Sequence, residues 1–390
     1  MTFEFEPGRL RGGEERDPWW FVVDPILILS VAAITAMGTL LVFSATRGPA
    51  TELIPADTSF LERQVFFAIA GAAMGGVAAI VNIERIRSLV SAGYLGFLAL
   101  LVGILLFGAE INGAQAWFRF GGFTFQPSEP GKLVLILTLA TVFSGGRVGF
   151  SRMVAGLVLA AVPVMLILFQ PDLGTVLVYI VITAVMLMMS SISMRLILLL
   201  VLVAITAVTM IFTSDLLQDY QKSRLTVFVL DEEAVSQLGP DAIRVAYNAE
   251  QSQIAIGNGG LTGTGLFQGT QTSSNLVPEQ QTDFIFSVAG EELGFRGAAI
   301  LLGLFALVVV RIWRVAVRST DEFDRLLAIG IMAMFVFQVF QSAGMTMGMT
   351  PVTGIPMPFV SYGGSSMLTS MIAIGLVLGV HRRRFDYTRE

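Results

Sequence analysis

Residues 275–297 read NLVPEQQTDFIFSVAGEELGFRG, and within them a polar stretch runs into an apolar segment. Glu279, Asp283, Glu291 and Glu292 lie close to that boundary. A carboxylate beside a hydrocarbon layer is energetically costly, so such residues usually mark a functional site. The stretch therefore predicts a membrane-spanning helix with a polar cavity at its mouth.

The composition of the chain indicates a polytopic membrane protein. Of 390 residues, 54% are hydrophobic and 14% are charged, whereas soluble domains average about 25% charged residues. We therefore predict a single integral membrane domain over residues 1–390, all-α and with about ten transmembrane helices. The absence of cysteine and the single histidine, His381, exclude disulfides, thiolate metal sites, thiol nucleophiles and His-centred triads.

Apolar segments of spanning length recur along the chain and give the ten predicted helices. Their approximate ranges are 25–45, 64–81, 89–108, 128–144, 153–170, 174–190, 195–213, 284–312, 326–348 and 361–380. The sequence QPDLG at 170–174 separates the fifth helix from the sixth, because proline and glycine interrupt a helix.

The Lys and Arg residues that flank these segments set the predicted orientation. With the N-terminus inside, the inner flanks hold 16 of the 24 Lys and Arg residues. The tails 1–24 and 381–390 are then cytoplasmic, and one large loop, 214–283, is extracytoplasmic. Within the loop, residues 247–257 predict an amphipathic helix. The glycine-rich run that follows lets the backbone turn sharply and approach a ligand.

Asp283 is the first candidate for chemistry, because it lies at the predicted outer mouth of the eighth helix, next to Phe284. Partial desolvation there makes a carboxylate a better proton acceptor. The alternative is a carboxylate that only stabilises the N-terminus of the helix through its dipole.

Other candidates combine charge or hydroxyl groups with predicted helix ends. Lys132 is the only lysine within an apolar span, so it must pair with a carboxylate, Glu129 or Asp172, or face an anionic ligand. Asp172 either caps the sixth helix or lines the cavity. Ser365 belongs to SYGGSS (361–366), a helix start that favours close packing or an anion.

The stretch NGAQAWFR at 112–119 is predicted as an outer loop with one cation, Arg119, and two large aromatic residues. It fits a sugar face, a phosphate, or a position at the membrane interface. The chain has no P-loop and no basic patch with interleaved aromatic residues, so we expect no nucleic-acid partner.

Five stretches, in this order, resemble the SEDS family of bacterial cell-wall polymerases, whose members include RodA and FtsW. They read NGAQAWFRFGGFTFQPSEPGKL, QPDLGT, QSQIAIGNGGLTGTGLFQGTQ, LVPEQQTDFIFSVAGEELGFRG and TPVTGIPMPFVSYGGSSM. Parts of the third and fifth are closer to RodA, the elongation member, than to FtsW, the division member. Two departures stand out: Gln281 replaces the usual histidine, and Gln115 and Ala116 replace basic residues.

The resemblance implies a peptidoglycan glycosyltransferase that uses lipid II, a disaccharide-peptide on undecaprenyl pyrophosphate, for elongation and rod shape. It places the protein in the bacterial cytoplasmic membrane, with its active site on the outer face. The aspartate of TDFIF, here Asp283, is implied as the catalytic carboxylate. The candidates for substrate binding are Glu129, Lys132, Asp172, Arg119, Arg224, Gln271 and Ser365.

The resemblance also implies partners and leaves alternatives open. Beside lipid II, the nascent glycan strand and membrane lipid, we expect a class B penicillin-binding protein, a transpeptidase. A divalent cation such as Mg²⁺, held by carboxylates, is a candidate aid to the leaving group. The alternative functions are an FtsW-type septal polymerase, a lipid II flippase or transporter, and a non-catalytic scaffold.

Overall fold

The computed structural model describes residues 24–48, 56–111, 114–120, 123–193, 195–196, 198, 228 and 239–386. Helices make up most of these residues. They are α1 (Pro25–Thr46), α2 (Ser59–Ile80), α3 (Ile83–Phe107), α4 (Ser128–Phe143), α5 (Phe150–Leu168), α6 (Leu173–Met189), α7 (Pro240–Gly259), α8 (Thr270–Ser273), α9 (Ile285–Arg318), α10 (Glu322–Thr346) and α11 (Gly364–Asp386).

The predicted all-α membrane fold is confirmed. In the described part of the chain, seven helices are long and apolar enough to cross a membrane, and α6 is a shorter apolar helix of 17 residues. Helices coincide with nine of the ten predicted segments. The other segment, 195–213, lies almost wholly outside the described residues, so the number ten stays a prediction. The amphipathic helix predicted at 247–257 is part of the longer α7.

The predicted eighth helix differs from α9, because α9 is broken at Gly294, whose φ is 64° and ψ is −169°. The glycine-rich loop after α7 packs against the backbone on both sides of the break. The Thr264 N–H donates to the Glu291 carbonyl, and the Phe295 N–H donates to the Gly260 carbonyl, both at 2.9 Å. Backbone groups near the break thus find partners within the protein, as a membrane interior requires.

A small antiparallel meander joins α3 to α4, where the sequence predicted only a loop. Its strands are β1 (Ala109–Ile111), β2 (Ala114–Phe120) and β3 (Phe123–Phe125). The Gln115 Nε2 of β2 donates to the carbonyl of Gly108, the residue that ends α3, at 3.1 Å. The meander leads the chain directly into the start of α4.

The connection between α10 and α11, residues 351–363, is irregular yet largely buried. A Cβ on Gly38 of α1 would lie 2.5 Å from the Cα of Val360, which is fully buried. A Cβ on Gly174 of α6 would lie 2.6 Å from the Thr353 carbonyl oxygen. These two glycines let the connection pass between α1 and α6. Such backbone is tolerated at membrane depth only where protein encloses it.

At the far end of α9, three acidic residues around the α9–α10 turn hold other elements together. Asp321 pairs with Arg87 of α3. Asp324 accepts hydrogen bonds of 2.9 and 2.6 Å from Arg383 of α11. Glu322 accepts bonds of 2.9 and 3.0 Å from two backbone N–H groups of the α4–α5 connection. This acidic turn thus ties α3, α4 and α11 to the α9–α10 hairpin.

Candidate functional site

Asp283 lies in a tight turn, residues 279–284, immediately before α9. Its N–H donates to the Glu279 carbonyl at 3.1 Å. Phe284 takes the N-cap position of α9, so Asp283 precedes the cap. The Asp283 side chain is partly exposed. A carboxylate that is accessible but held on a hydrogen-bonded turn meets the first geometric requirement for a general base.

The buried connection before α11 fixes this turn from one side. The Ser361 hydroxyl donates to the Thr282 carbonyl at 2.6 Å and accepts the Met357 N–H at 2.8 Å. The Tyr362 N–H donates to the Gln281 carbonyl at 2.8 Å. These contacts use the backbone of Gln281, which any residue supplies. The replacement of the usual histidine therefore leaves this anchor intact.

Lys132 forms an ion pair in the structure, and its role in binding an anionic substrate group stays a prediction. Its Nζ lies 2.7 Å from the Glu129 Oε1, one turn earlier in α4, and both residues are buried. Its partner is Glu129 and not Asp172. Removing one member of such a pair leaves an uncompensated buried charge, so the two side chains act as a unit.

Asp172 caps α6 and also connects to α4. Its carboxylate accepts hydrogen bonds from the N–H and the hydroxyl of Thr175, at 3.0 and 2.7 Å. It also accepts a bond of 3.0 Å from the Nε2 of Gln126. The Gln126 N–H donates to the Ser365 hydroxyl oxygen, again at 3.0 Å. Gln126 therefore links the N-terminal ends of α4, α6 and α11.

Sequence reasoning missed Gln126, although it directly precedes Pro127 in a stretch that was singled out. The sequence feature that could have indicated Gln126 is a polar side chain next to a proline, two residues before the start of a helix. The convergence that it creates has an electrostatic consequence. Each helix N-terminus carries about half a positive charge, which favours an anion. At α6 that anion is the carboxylate of Asp172 itself, which leaves the ends of α4 and α11.

Three further residues complete the set of predicted substrate-binding residues. Arg119 is exposed on β2, opposite Thr124 in the meander. Gln271 lies in α8, where its N–H donates to the Glu291 carboxylate at 2.8 Å. Arg224 lies outside the described residues. A role of these three residues in substrate binding stays a prediction.

A divalent cation at the leaving group stays a prediction. Within the described ranges, no three side chains of the Asp, Glu or His type come together as a ligand cluster. Glu129 is committed to Lys132, and both oxygens of Asp172 accept hydrogen bonds.

An apolar cavity of about 520 Å³ opens between α2, α3, α4 and α11. Its lining includes Val77 of α2, Ile86 of α3, Leu133 and Leu137 of α4, and Leu376 of α11. Leu133 directly follows Lys132, so the cavity reaches the part of α4 that carries the buried ion pair. The apolar lining suits a hydrocarbon chain.

Comparison with known proteins identifies the family. The family model for FtsW, RodA and SpoVE, described as "Cell cycle protein", matches residues 25–385. The chain belongs to this family. The predicted SEDS membership, and the polytopic membrane fold that it implies, are thereby confirmed.

Relatives in this family carry enzyme names. The chain is 35% identical over 369 residues to the peptidoglycan glycosyltransferase MrdB of Escherichia coli K12, covering 93% of this chain and 94% of MrdB. It is 30% identical over 433 residues to the peptidoglycan glycosyltransferase RodA of Treponema pallidum, covering 93% and 98%. A probable peptidoglycan glycosyltransferase FtsW of Geobacter metallireducens is 33% identical over 368 residues, covering 92% and 95%.

Solved structures agree with the fold. Rod shape determining protein RodA of Thermus thermophilus matches with a TM-score of 0.69 and 31% identity, covering 94% of this chain and 99% of that chain. A second solved structure matches with a TM-score of 0.77 and 32% identity, with the same coverage. Its description is "Structural coordination of polymerization and crosslinking by a peptidoglycan synthase complex".

Proposed function

We propose that the protein is a peptidoglycan polymerase of cell elongation, which extends glycan strands from lipid II and releases undecaprenyl pyrophosphate. The observation that carries the proposal is the pairing of two features. One is a partly exposed carboxylate, Asp283, on a turn held by Ser361. The other is the convergence of three helix N-termini at Gln126 and Ser365. The segment 361–365 connects the two.

Asp283 acts as the general base in the proposed reaction. It takes the proton of the acceptor sugar hydroxyl, and the hydroxyl oxygen forms a bond to the anomeric carbon of the donor. The bond from that carbon to the pyrophosphate oxygen breaks, the electron pair leaves with the pyrophosphate, and the anomeric centre inverts. A positioned base contributes roughly 10²–10⁴-fold to such a reaction.

The converging helix ends face the leaving group. Negative charge grows on the pyrophosphate in the transition state, so fixed positive potential accelerates the step most. Lys132 contributes a full charge only if it exchanges Glu129 for phosphate, because the two are paired at 2.7 Å. The N-termini of α4 and α11 therefore supply the constant part of the potential, since the Asp172 carboxylate already caps α6.

The apolar cavity beside α4 takes part of the polyprenyl chain, since it is lined by apolar side chains and reaches the level of Leu133. This arrangement supports a one-sided enzyme over a transporter, which needs cations distributed along the path of a pyrophosphate. The buried charged groups of the described residues instead gather near the two ends of the bundle.

The proposal includes location and partner. The active site lies on the outer face of the cytoplasmic membrane, and both termini are cytoplasmic, in keeping with the Lys and Arg distribution. The partner is a class B penicillin-binding protein. Its support is the likeness to a chain of a peptidoglycan synthase complex in which polymerization and crosslinking are coordinated.

Polymerisation of purified lipid II by the purified protein tests the proposal. Asp283→Asn keeps the shape of the side chain but cannot accept the proton, so we expect a loss of at least about 100-fold. Glu250→Gln, at an exposed position of α7, is the matched control and retains the normal rate. A normal rate with correctly folded Asp283→Asn protein would refute the proposed mechanism.

A further inference from the structure

We propose that Glu291 is a positioning residue for the Asp283 turn and acts through α8 and Gln280. The inference rests on the proposed function, because it concerns the geometry of the same carboxylate. Glu291 is fully buried in the first part of α9, before the break at Gly294. It lies eight residues after Asp283 in the sequence.

The hydrogen bonds of Glu291 occupy its whole carboxylate. Its Oε1 accepts from the Gln271 N–H at 2.8 Å and the Thr270 hydroxyl at 3.3 Å. Its Oε2 accepts from the N–H and the hydroxyl of Thr272, at 2.9 and 2.7 Å. An ionised carboxylate offers about four lone-pair positions, and four donors fill them here. Glu291 therefore has no acceptor position left for a substrate proton or a metal ion.

The restraint passes from α8 to the Asp283 turn through Gln280. The Gln280 Nε2 lies 3.0 Å from the Thr272 carbonyl oxygen, 2.7 Å from the Asn275 Oδ1 and 2.9 Å from the Ala45 carbonyl oxygen of α1. Gln280 is almost fully buried and lies within the turn that carries Asp283. One amide thus fastens the turn both to α8 and to α1.

These contacts close a loop of chain around the proposed base. The hydrogen bond between Gln271 and Glu291 joins residues 20 positions apart, and Asp283 lies between them. Closing such a loop costs conformational entropy, which the contacts at its two ends must offset. The geometry of the loop therefore depends on those contacts. A displacement of about 1 Å at a reacting group can cost on the order of 10²-fold in rate. Glu291 therefore controls the rate without touching the substrate.

The neighbouring carboxylate offers a matched control. Glu292 is also buried, but its Oε1 accepts from the Ser44 hydroxyl of α1 at 2.5 Å. Its carboxylate also faces the backbone N–H of Phe267, in the loop before α8, and neither of these partners belongs to α8. Glu292 is thus equal to Glu291 in size and burial but is not joined to α8. Replacing each by glutamine separates the effect of losing a buried charge from the effect of losing the hydrogen bonds to α8.

The experiment measures steady-state polymerisation of lipid II by purified variants, with rates normalised to the folded fraction from size-exclusion and thermal unfolding. In Glu291→Gln, the NH₂ group of the new amide faces a backbone N–H donor in either orientation, that of Gln271 or that of Thr272. We expect kcat to fall by about 10- to 100-fold, with KM for lipid II within about two-fold. The acidic limb of the pH–rate profile stays in place, because Asp283 remains the base. Glu292→Gln stays within about three-fold in kcat.

Two further variants decide the matter if Glu291→Gln does not fold. Thr272→Val removes one donor to Glu291, and Gln280→Met removes the link to the turn. Each lowers kcat on its own. Where Glu291→Gln does fold, the effect of Thr272→Val is not additive with that of Glu291→Gln. Normal kcat in both further variants, normal kcat in folded Glu291→Gln, a change mainly in KM, or a lost acidic limb would each overturn the inference.

The same assay separates this inference from the proposed function. Full activity of folded Asp283→Asn refutes the proposed base, and the positioning role falls with it. An inactive Asp283→Asn beside a fully active Glu291→Gln refutes the positioning role alone.

Discussion

The buried ion pair of α4 predicts that one double variant regains the stability of the protein without regaining its activity. The two charged atoms of Glu129 and Lys132 are 2.7 Å apart. At an effective dielectric constant of about 20, their attraction is about 6 kcal/mol, which offsets the cost of removing both groups from water. Lys132→Met fills similar space but leaves Glu129 buried without its partner. We expect a loss of about 3–5 kcal/mol in the free energy of unfolding.

The double variant Glu129→Gln/Lys132→Met tests the origin of that loss. It removes both charges, so most of the stability returns, because a neutral replacement of a buried pair is often neutral in energy. Activity does not return if Lys132 also meets the pyrophosphate. The measurements are unfolding in detergent and lipid II polymerisation, with Lys132→Met, Glu129→Gln and the double variant in parallel.

Two results would contradict this reasoning. An unchanged unfolding midpoint for Lys132→Met would mean that the pair contributes little. A double variant with normal polymerisation would mean that Lys132 serves the structure alone and that the helix N-termini suffice for the leaving group.

Three further predictions concern other parts of the molecule. Gly294→Ala introduces a Cβ into a glycine-only backbone conformation and should cost at least about 1–3 kcal/mol in the free energy of unfolding, whereas Gly303→Ala, at a position with open space, should not destabilise. Asp324→Asn weakens the double hydrogen bond to Arg383 and should cost about 1.5–3 kcal/mol; an unchanged unfolding curve would contradict this. Gln281→His should leave polymerisation within about two-fold, since the anchor uses the backbone, and a large change in kcat would show that this side chain matters to the reaction.

The helices could be predicted because the length of an apolar segment decides whether it spans a bilayer. The break at Gly294 could not, because an isolated glycine between residues such as Leu293 and Phe295 is also compatible with a continuous helix. Its cause is the docking of Gly260 and Thr264, some 30 residues earlier. The β-meander was missed for a related reason, since its pairing depends on how β1, β2 and β3 fold back on one another.

The charged residues of the candidate site could be predicted, because placing an ionisable group near a membrane costs free energy. Asp283, Lys132 and Asp172 stand out because an ionisable group near a membrane needs a reason to be there. The choice between Glu129 and Asp172 as the partner of Lys132 required geometry. Gln126 carries no charge, so its position between three helix starts emerges only from the structure.

The acidic turn between α9 and α10 bears on how the protein is made. Synthesis runs from the N-terminus, so Arg87 is made 234 residues before its partner Asp321. At about 5–20 residues per second, that interval is on the order of 10–50 s. Arg383 follows Asp324 by a further 59 residues. The first six helices must therefore wait in the membrane without these ties, and a chain that stops before the α9–α10 hairpin never acquires them. Such a truncated product keeps Arg87 without its partner Asp321.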